Sequence, residues 1–370
     1  MILKNYIFYC LLLFSLLIYC RTLNAAVEYD SRFTWKTIKT EHFYIHYHKG
    51  VKHIAHRLAI IAEKVHNQLV PKIKWHPRSR TEVVIVDNID IANGYATWIP
   101  RNKIQIYVSR PQLHSVLNNF NDWLTLVFTH EYTHILTIDQ ATSCIGKMRY
   151  AFGRCCLLFP NTFLPYWAIE GIAVYQESQQ NPPFGRNNST YVNMVLRMEV
   201  AHKGLKPISK ASVFPRQWPR GNVPYLYGGM FVDFLEKKYS KGKMAKFFLE
   251  HSNNTFPYSD DIIPLPYFYN YDAYYIFNKT FPSLWNEWRF WLTMKLKKDI
   301  AAIKKQGLTK KTDLTEKDEI ANHPRFSKDG RYLYFVKSSP YTYTRLMRYD
   351  RKYKYNKTLC QVHMPLSLSI

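Results

Sequence analysis

The segment from Leu117 to Asp139 constrains this chain most, because a long apolar run there encloses two histidines and a glutamate. Its sequence, LNNFNDWLTLVFTHEYTHILTID, predicts one buried helix. Since His130 and His134 are four positions apart, a helix places both imidazoles on one face. Polar side chains are costly to bury unless they are paired or bind a ligand. We therefore expect this helix to carry a site and not only a packing surface.

The pentapeptide HEYTH within this segment has the spacing of a zinc site. Two imidazoles so placed can both bind one metal ion at ~2.0–2.1 Å. Glu131, beside the first of them, can accept a proton from a water molecule that the metal activates. Two ordinary buried histidines are the alternative, and the apolar context weighs against it. The pattern predicts one zinc ion (Zn2+) per chain, bound by His130 and His134, with Glu131 as the general base.

A second segment, PYWAIEGIAVY from Pro165 to Tyr175, supplies a third ligand. Glu170 is the only acid in this apolar helix, and a buried carboxylate needs a charge partner or a metal. Gly171 removes side-chain bulk beside it, which lets two helices approach closely. A glutamate on the helix surface is the alternative. Because a catalytic zinc site has three protein ligands and one open position, we predict Glu170 as the third ligand.

Together these segments resemble the gluzincin clan of zinc metallopeptidases, and most closely the peptidase MA-like group of exported bacterial proteins. The HExxH motif is followed by W-x-x-E-G-x-A-x-Y, which this chain matches at Trp167, Glu170, Gly171, Ala173 and Tyr175. The resemblance implies an α+β fold in which a small mixed sheet lies beside a helical zinc-binding subdomain. It also implies zinc-dependent peptide-bond hydrolysis, with an edge strand that pairs with the substrate backbone along the cleft. The strand predicted from Lys103 to Val108 is our candidate for that edge.

Further residues near the motif are given roles by the same resemblance. The segment VPYLYGG, from Val223 to Gly229, is similar to the P-Y-x-x-G segment of aminopeptidase-type gluzincins, whose tyrosine donates a hydrogen bond to the tetrahedral oxyanion. This implies Tyr225 as the oxyanion stabiliser and Tyr227 as the fallback, whereas a tyrosine that only packs is the alternative. The chain lacks the G-x-M-E-N motif of aminopeptidases, which favours an endopeptidase. Asp139 is predicted either to orient an imidazole or to lie at a solvated helix end.

The C-terminal part of the chain has a different character. HPRFSKDGRYLYF, from His323 to Phe335, resembles one TolB-type β-propeller repeat in which Lys328 replaces the second proline. Two alternating runs around an Asp-Gly turn predict a hairpin, whereas 357–370 shows no strand or helix pattern. The resemblance implies a partial propeller blade, so that the chain is expected to be a truncated relative of a longer peptidase–propeller protein.

The start of the chain predicts export. Lys4 precedes an apolar run that ends at Arg21, and small residues follow it. The apolar run is shorter than the ~20 residues of a spanning helix, so we expect a cleaved signal peptide and a periplasmic or secreted protein. A membrane anchor formed by the uncleaved signal is the alternative. The predicted domains are a signal peptide at 1–26, a metallopeptidase domain at 27–305, a linker at 306–320, and a partial β-propeller repeat with a tail at 321–370.

Cysteine usage is compatible with export. In an oxidising compartment, Cys144 is predicted to form a disulfide bond with Cys155 or with Cys156, and the sequence leaves both pairings open.

The charge balance bears on partners. A formal net charge of +24 favours anionic partners such as a cell-envelope surface, although a basic soluble surface is the alternative. The chain has no basic motif interleaved with aromatic residues, so we expect no nucleic-acid partner. The predicted partner is a protein or peptide substrate, and the oligomeric state stays open. Two other functions remain: a catalytically inactive gluzincin-fold binding or scaffold protein at an anionic envelope surface, against which Glu131 argues, and a zinc hydrolase of non-peptide amides.

Overall fold

The computed structural model describes residues 32–111, 117, 122–155, 158–180, 184–253, 269–315, 320–339 and 341–362, with side chains at 143 and 144 excepted. The predicted signal peptide lies outside these residues, as do Cys156 and the side chain of Cys144, and with them the disulfide pairings. Within the described residues the fold is α+β, with two sheets and ten α-helices. No helix in this part of the chain is long and apolar enough to cross a membrane.

Regular elements cover most of the described chain. The strands are β1 (Trp35–Lys39), β2 (Phe43–His48), β3 (Thr81–Val86), β4 (Gly94–Thr97), β5 (Lys103–Tyr107), β6 (Ile320–Phe326), β7 (Tyr332–Ser339), β8 (Thr342–Asp350) and β9 (Tyr355–Gln361). The helices are α1 (Lys52–Ile73), α2 (Trp123–Ile138), α3 (Ser143–Phe152), α4 (Tyr166–Glu177), α5 (Thr190–His202), α6 (Ile208–Ala211), α7 (Val223–Tyr239), α8 (Lys243–His251), α9 (Tyr269–Phe277) and α10 (Phe281–Lys305).

The first sheet is mixed, and its strand order corrects one prediction. The order is β1-β2-β3-β5-β4, with parallel pairing of β3 to β2 and β5 and antiparallel pairing at both ends. The strand at Lys103–Tyr107 exists, but it is not the edge, because β4 covers its outer side. The edge strand is β4 itself, which is only four residues long and begins at a glycine. So short a strand has no alternating pattern by which the sequence could predict it.

Two hydrophobic cores meet at the motif helix. Helices α1 and α2 pack with the mixed sheet to form one core, which includes Phe43, Leu58, Ile106 and Phe128. Helices α4, α5, α7, α8, α9 and α10 form the other around a cluster of buried aromatic rings that includes Trp167 and Trp285. Helix α2 therefore has the sheet on one side and the helical core on the other, which places its polar residues between the two.

The second sheet lies in the C-terminal part of the chain. It is fully antiparallel with order β6-β7-β8-β9, and the predicted hairpin is its β6–β7 pair. The expectation that 357–370 lacks a strand is wrong for the start of that segment, because β9 runs from Tyr355 to Gln361 and pairs with β8. Every residue of β9 is exposed. A strand that is exposed on both faces needs no apolar alternation, so the sequence pattern could not indicate it.

Candidate metal centre

Helix α2 carries the HEYTH motif and is buried almost throughout. Asp122 begins it by accepting hydrogen bonds from the Thr125 amide and hydroxyl. Thr129, Thr133 and Thr137 each donate a hydroxyl hydrogen bond to the carbonyl four residues earlier, over 2.7 to 2.9 Å. These threonines satisfy their own polar groups, so they can be buried without external partners. The motif residues must find partners from elsewhere in the fold.

Three predicted ligands converge on one point. The Nε2 atoms of His130 and His134 are 3.2 Å apart. Oε2 of Glu170 lies 3.2 Å from the first nitrogen and 3.3 Å from the second. Ligand atoms on a tetrahedron with zinc ~2.0 Å from each are separated by ~3.3 Å. The three atoms therefore form one face of a tetrahedron of the size that zinc requires, and they fit the metal that the sequence predicts.

Glu170 reaches this point because α4 crosses α7 very closely. A Cβ atom added at Gly171 would lie 2.6 Å from the carbonyl carbon of Gly228, and one added at Gly228 would lie 2.4 Å from the Trp167 carbonyl oxygen. Both positions therefore require glycine. Burial raises the pKa of the Glu170 carboxyl, but His134 and His130 outweigh burial and hold it well below its usual range. The carboxylate is thus kept charged against the imidazoles.

The sequence did not predict the partners of His130, which are Glu177 and Arg186. Glu177 is fully buried at the end of α4, and its Oε2 lies 3.1 Å from Nδ1 of His130. Arg186 donates to both Glu177 oxygens, each over 2.8 Å, and its Nη2 is 2.7 Å from the same imidazole nitrogen. Arg186 can only donate and so requires an unprotonated Nδ1, whereas Glu177 can only accept and so requires a protonated one. A metal at Nε2 of His130 would place the ring proton on Nδ1, where Glu177 would accept it.

The electrostatics of this cluster favour a positive charge at its centre. Burial and the Arg186 cation lower the pKa of His130, but hydrogen bonds to Glu170 and Glu177 outweigh them and raise it to about 9. Burial also raises the pKa of Glu177, although Arg186 and His130 hold it below the usual range. Two charged carboxylates therefore face one imidazole from opposite sides, an arrangement that stabilises either a proton or a metal cation at the ring.

Glu131 lies beside the ligands and faces the edge strand. It is buried, which raises the pKa of its carboxyl, although His130 and His134 lower it. A Cβ atom at Gly94 in β4 would lie 3.0 Å from Cγ and 3.1 Å from Oε1 of Glu131. Glycine at this position thus lets the edge strand approach the Glu131 side chain closely.

The two candidate tyrosines at the start of α7 are separated by the structure. The Tyr225 ring lies 6.0 Å from the His130 ring, close enough to Glu170 for that carboxylate to act on the tyrosine hydroxyl. Burial and Glu170 raise its pKa, so it remains a neutral donor. Tyr227 is fully buried and donates to Glu199 over 2.5 Å, away from the motif. The structure therefore places Tyr225 beside the motif and in the cleft, and places the Tyr227 hydroxyl elsewhere.

A cleft of about 660 Å³ opens at the motif. Gly94 of β4 and Glu131 of α2 line one part of it, and Tyr225 lines another. The C-terminal sheet contributes residues from three of its strands, among them Ile320 and Val336. The cleft therefore lies between the edge strand, the motif helix and the second sheet.

Comparison with known proteins adds one relative. No family model matches the chain. The chain is 28% identical over 216 residues to an uncharacterized protein of Treponema pallidum (strain Nichols). This alignment covers 56% of the present chain and 18% of the relative, so the chain spans less than a fifth of that protein's length.

Asp139 has neither of its two predicted roles. It is only 3% exposed, which excludes a solvated helix end. Its carboxylate accepts hydrogen bonds from Asn102 over 3.1 Å and from Trp75 over 3.4 Å, and it forms an ion pair with Arg154 over 2.9 Å. Arg149 donates to its backbone carbonyl over 2.7 Å. Asp139 thus fixes the end of α2 to the sheet and to the segment that follows the helix.

Proposed function

We propose that this chain is a zinc metallopeptidase of the gluzincin type that hydrolyses peptide bonds outside the cytoplasm. The observation that carries the proposal is the triangle of ligand atoms from His130, His134 and Glu170, with sides of 3.2 to 3.3 Å. Single contacts of this length also occur in ordinary hydrogen bonds, so the support comes from three ligand-type atoms that are mutually spaced as one face of a zinc tetrahedron. Glu131 beside this triangle supplies the carboxylate that hydrolysis requires.

The chain's own residues account for the proton transfers of hydrolysis. Zinc, when bound, would polarise the substrate carbonyl and lower the pKa of a water molecule towards ~7. Glu131 takes a proton from the attacking water as the new C–O bond forms, and it passes that proton to the amide nitrogen as the C–N bond breaks. Tyr225 donates its hydroxyl hydrogen bond to the oxyanion of the tetrahedral intermediate.

The edge strand β4 gives the proposed substrate its orientation. An extended peptide can add to an exposed sheet edge through main-chain hydrogen bonds. At Gly94, such a peptide lies next to Glu131, because glycine leaves room between the strand and the carboxylate. The strand, and not an exopeptidase motif, then positions the scissile bond, which supports endopeptidase activity on proteins or peptides.

The second sheet is proposed to be a propeller-type blade. A propeller blade consists of four antiparallel strands, and β6 to β9 have this number and pairing. Because its residues line the cleft, the sheet would restrict the size of substrates that reach Glu131.

The net charge of +24 supports a location at an anionic envelope surface.

The test separates metal binding from turnover. We expect His130→Ala to bind one zinc equivalent fewer than the wild-type chain, and Glu170→Ala to do the same. Glu131→Gln should retain that zinc while cleavage of a mixed-sequence peptide library falls by ~10²-fold or more. Zinc is measured by elemental analysis and cleavage by mass spectrometry.

Two results would count against the proposal. If Glu131→Gln cleaves as fast as the wild-type chain, Glu131 is not the base. If the wild-type chain binds zinc at His130 but cleaves no peptide in the library, the site belongs to a scaffold protein that retains a metal centre.

A further inference from the structure

A second concave surface, separate from the cleft, is lined by lysine side chains. It has a volume of about 630 Å³ and shares no lining residue with the cleft at the motif. Its walls are the end of α1, one face of α4, and the turn from α7 into α8. Two separate parts of the chain bring five lysines to it, which are Lys72, Lys74, Lys241, Lys243 and Lys246. The volume of this lysine pocket lies in the ~300–1,000 Å³ range of sites for small organic molecules.

The five ammonium groups lack counter-charges in the part of the chain that the structure describes, where none of them forms an ion pair. Neutral groups of α9 hold two of them: Lys243 donates to a backbone carbonyl over 2.8 Å, and Lys246 lies 5.5 Å from the centroid of a tyrosine ring. Burial and the nearby charge of Lys241 lower the pKa of Lys72. Like charges gathered in this way repel one another, and an anion placed between them would relieve the repulsion.

One acid, Glu236, also lines the lysine pocket. Its two oxygens accept hydrogen bonds from the backbone amides of Gly242 over 2.6 Å and of Met244 over 2.8 Å. The carboxylate therefore satisfies amides at the start of α8, which have no partner within the helix. Since this single acid faces five lysines, four of the positive charges remain unbalanced.

The backbone beside the lysines adopts conformations that L-residues rarely take. Lys74 has a φ of 59° at the end of α1, and Ser240, which precedes Lys241, has a φ of 100°. Glycine would adopt such angles without steric cost, yet neither position is glycine. Strained backbone of this kind is concentrated at sites that hold ligands. Both turns that carry the lysines have it.

We propose that the lysine pocket binds a ligand that carries two or more phosphate groups. Lysine binds phosphate as a point charge with three N–H donors. One phosphate monoester carries ~1.5–2 negative charges, so four unbalanced lysines match two such groups. The apolar lining residues Pro71, Ile172 and Ala245 offer contacts to the organic part of the ligand.

The inference does not rest on the peptidase proposal, because no lining residue of the lysine pocket is a proposed metal ligand or catalytic residue. Two sources can supply the same chemistry. One is a phospholipid headgroup at a membrane surface, and the other is a soluble phosphorylated compound.

Titration of the full chain with inorganic pyrophosphate, followed by calorimetry, tests the site. We expect saturable binding that the double variant Lys72→Gln, Lys241→Gln weakens by ~10-fold or more, because each loses a hydrogen bond to a charged group. The matched control is Lys297→Gln, Lys298→Gln, which removes two exposed lysines of α10 and makes the same change in net charge. The proposed metal centre is identical in both variants, so pyrophosphate that binds there contributes equally to both titrations.

Cosedimentation with vesicles of phosphatidylcholine and cardiolipin, a lipid with two phosphate groups, distinguishes the sources. If the pocket variant loses vesicle binding that the control variant keeps, the ligand is a lipid headgroup. If the two variants bind vesicles alike and differ only with pyrophosphate, the ligand is a soluble phosphorylated compound. The inference is overturned if the two variants have the same affinity for pyrophosphate, whether both bind it or neither does.

Discussion

Replacing Glu177 by glutamine should weaken zinc binding at His130 without removing any ligand. Glu177 is fully buried, and its carboxylate accepts hydrogen bonds from the Arg186 side chain and backbone while it faces Nδ1 of His130. Nδ1 of His134 has no hydrogen-bond partner among the described residues. Among the described residues, Glu177 therefore orients the His130 imidazole through Nδ1, and the His134 ring has no such partner.

The magnitude follows from the contacts that glutamine would lose. Removal of an outer partner of a metal-bound histidine costs ~10–100-fold in metal affinity, which equals about 1.4–2.8 kcal/mol. The same change leaves the buried Arg186 cation without its counter-charge, for which ~3–5 kcal/mol of folding stability is typical. Because glutamine still accepts one hydrogen bond from Arg186, we expect a stability loss of about 3 kcal/mol, at the lower end of that range.

The assay is a competition between the protein and a chromophoric chelator for zinc, on protein shown by circular dichroism to be folded. Glu199→Gln is the matched control. Glu199 is also a buried acid paired with a cation, Lys206, but it lies away from the motif helix. The Glu199→Gln variant should lose folding stability and keep the zinc affinity of the wild-type chain.

The result that would refute the reasoning is equal zinc affinity in Glu177→Gln and Glu199→Gln. Glu177 would then be a structural ion-pair partner of Arg186, with no role in orienting His130.

Three further substitutions test the cleft and the helix crossing. Gly94→Ala should lower turnover roughly 100-fold with zinc retained, because the new methyl group would meet Cγ2 of Val127 at 2.5 Å and crowd Glu131 at 3.0 Å, so that β4 moves away from α2; a kcat measurement beside zinc analysis checks this. Gly171→Ala should lower the free energy of unfolding by ~1–3 kcal/mol, because its Cβ would meet Gly228 at 2.6 Å. An unchanged midpoint in a denaturant titration would contradict this prediction. Tyr225→Phe should lower kcat by ~10²–10³-fold and leave zinc content unchanged; wild-type turnover would exclude an oxyanion role.

The sequence predicted those parts of the site that local spacing controls. His130 and His134 are fixed by one helical turn, and Glu170 is conspicuous as one acid in an apolar helix. Glu177 and Arg186 were not predicted from the sequence, because they pair only where the chain turns back after α4. An acid at the end of a helix usually meets solvent, so its sequence context gives no sign of burial.

The fold, like the site, was predicted where a local sequence pattern decides the structure and not where tertiary contacts decide it. The apolar helix that contains Glu170 and the strand that begins at Lys103 are both present, because their apolar patterns are strong. Helix α1 contains Pro71 and continues to Ile73. A proline in the last turn of a helix loses one hydrogen bond, and the residues around it continue to pack. The stacked contact of the His42 and His66 rings likewise has no sequence signature, since the two residues lie in separate parts of the chain.

Helix α2 is buried because its polar groups have partners in the helix itself and on both of its sides. Threonines at four-residue spacing bond to their own backbone, and Asp122 satisfies the start of the helix, so most of its polar groups need nothing from outside. On the side of the sheet, the Tyr132 hydroxyl forms a hydrogen bond with Nδ1 of His66. His130 and His134 find Glu170 and Glu177 on the side of the helical core. Since an unpartnered buried polar group costs ~1–3 kcal/mol, loss of the contacts on either side would destabilise the buried helix. The positions of His130 and His134 and of the His66–Tyr132 contact are therefore coupled through the placement of this one helix.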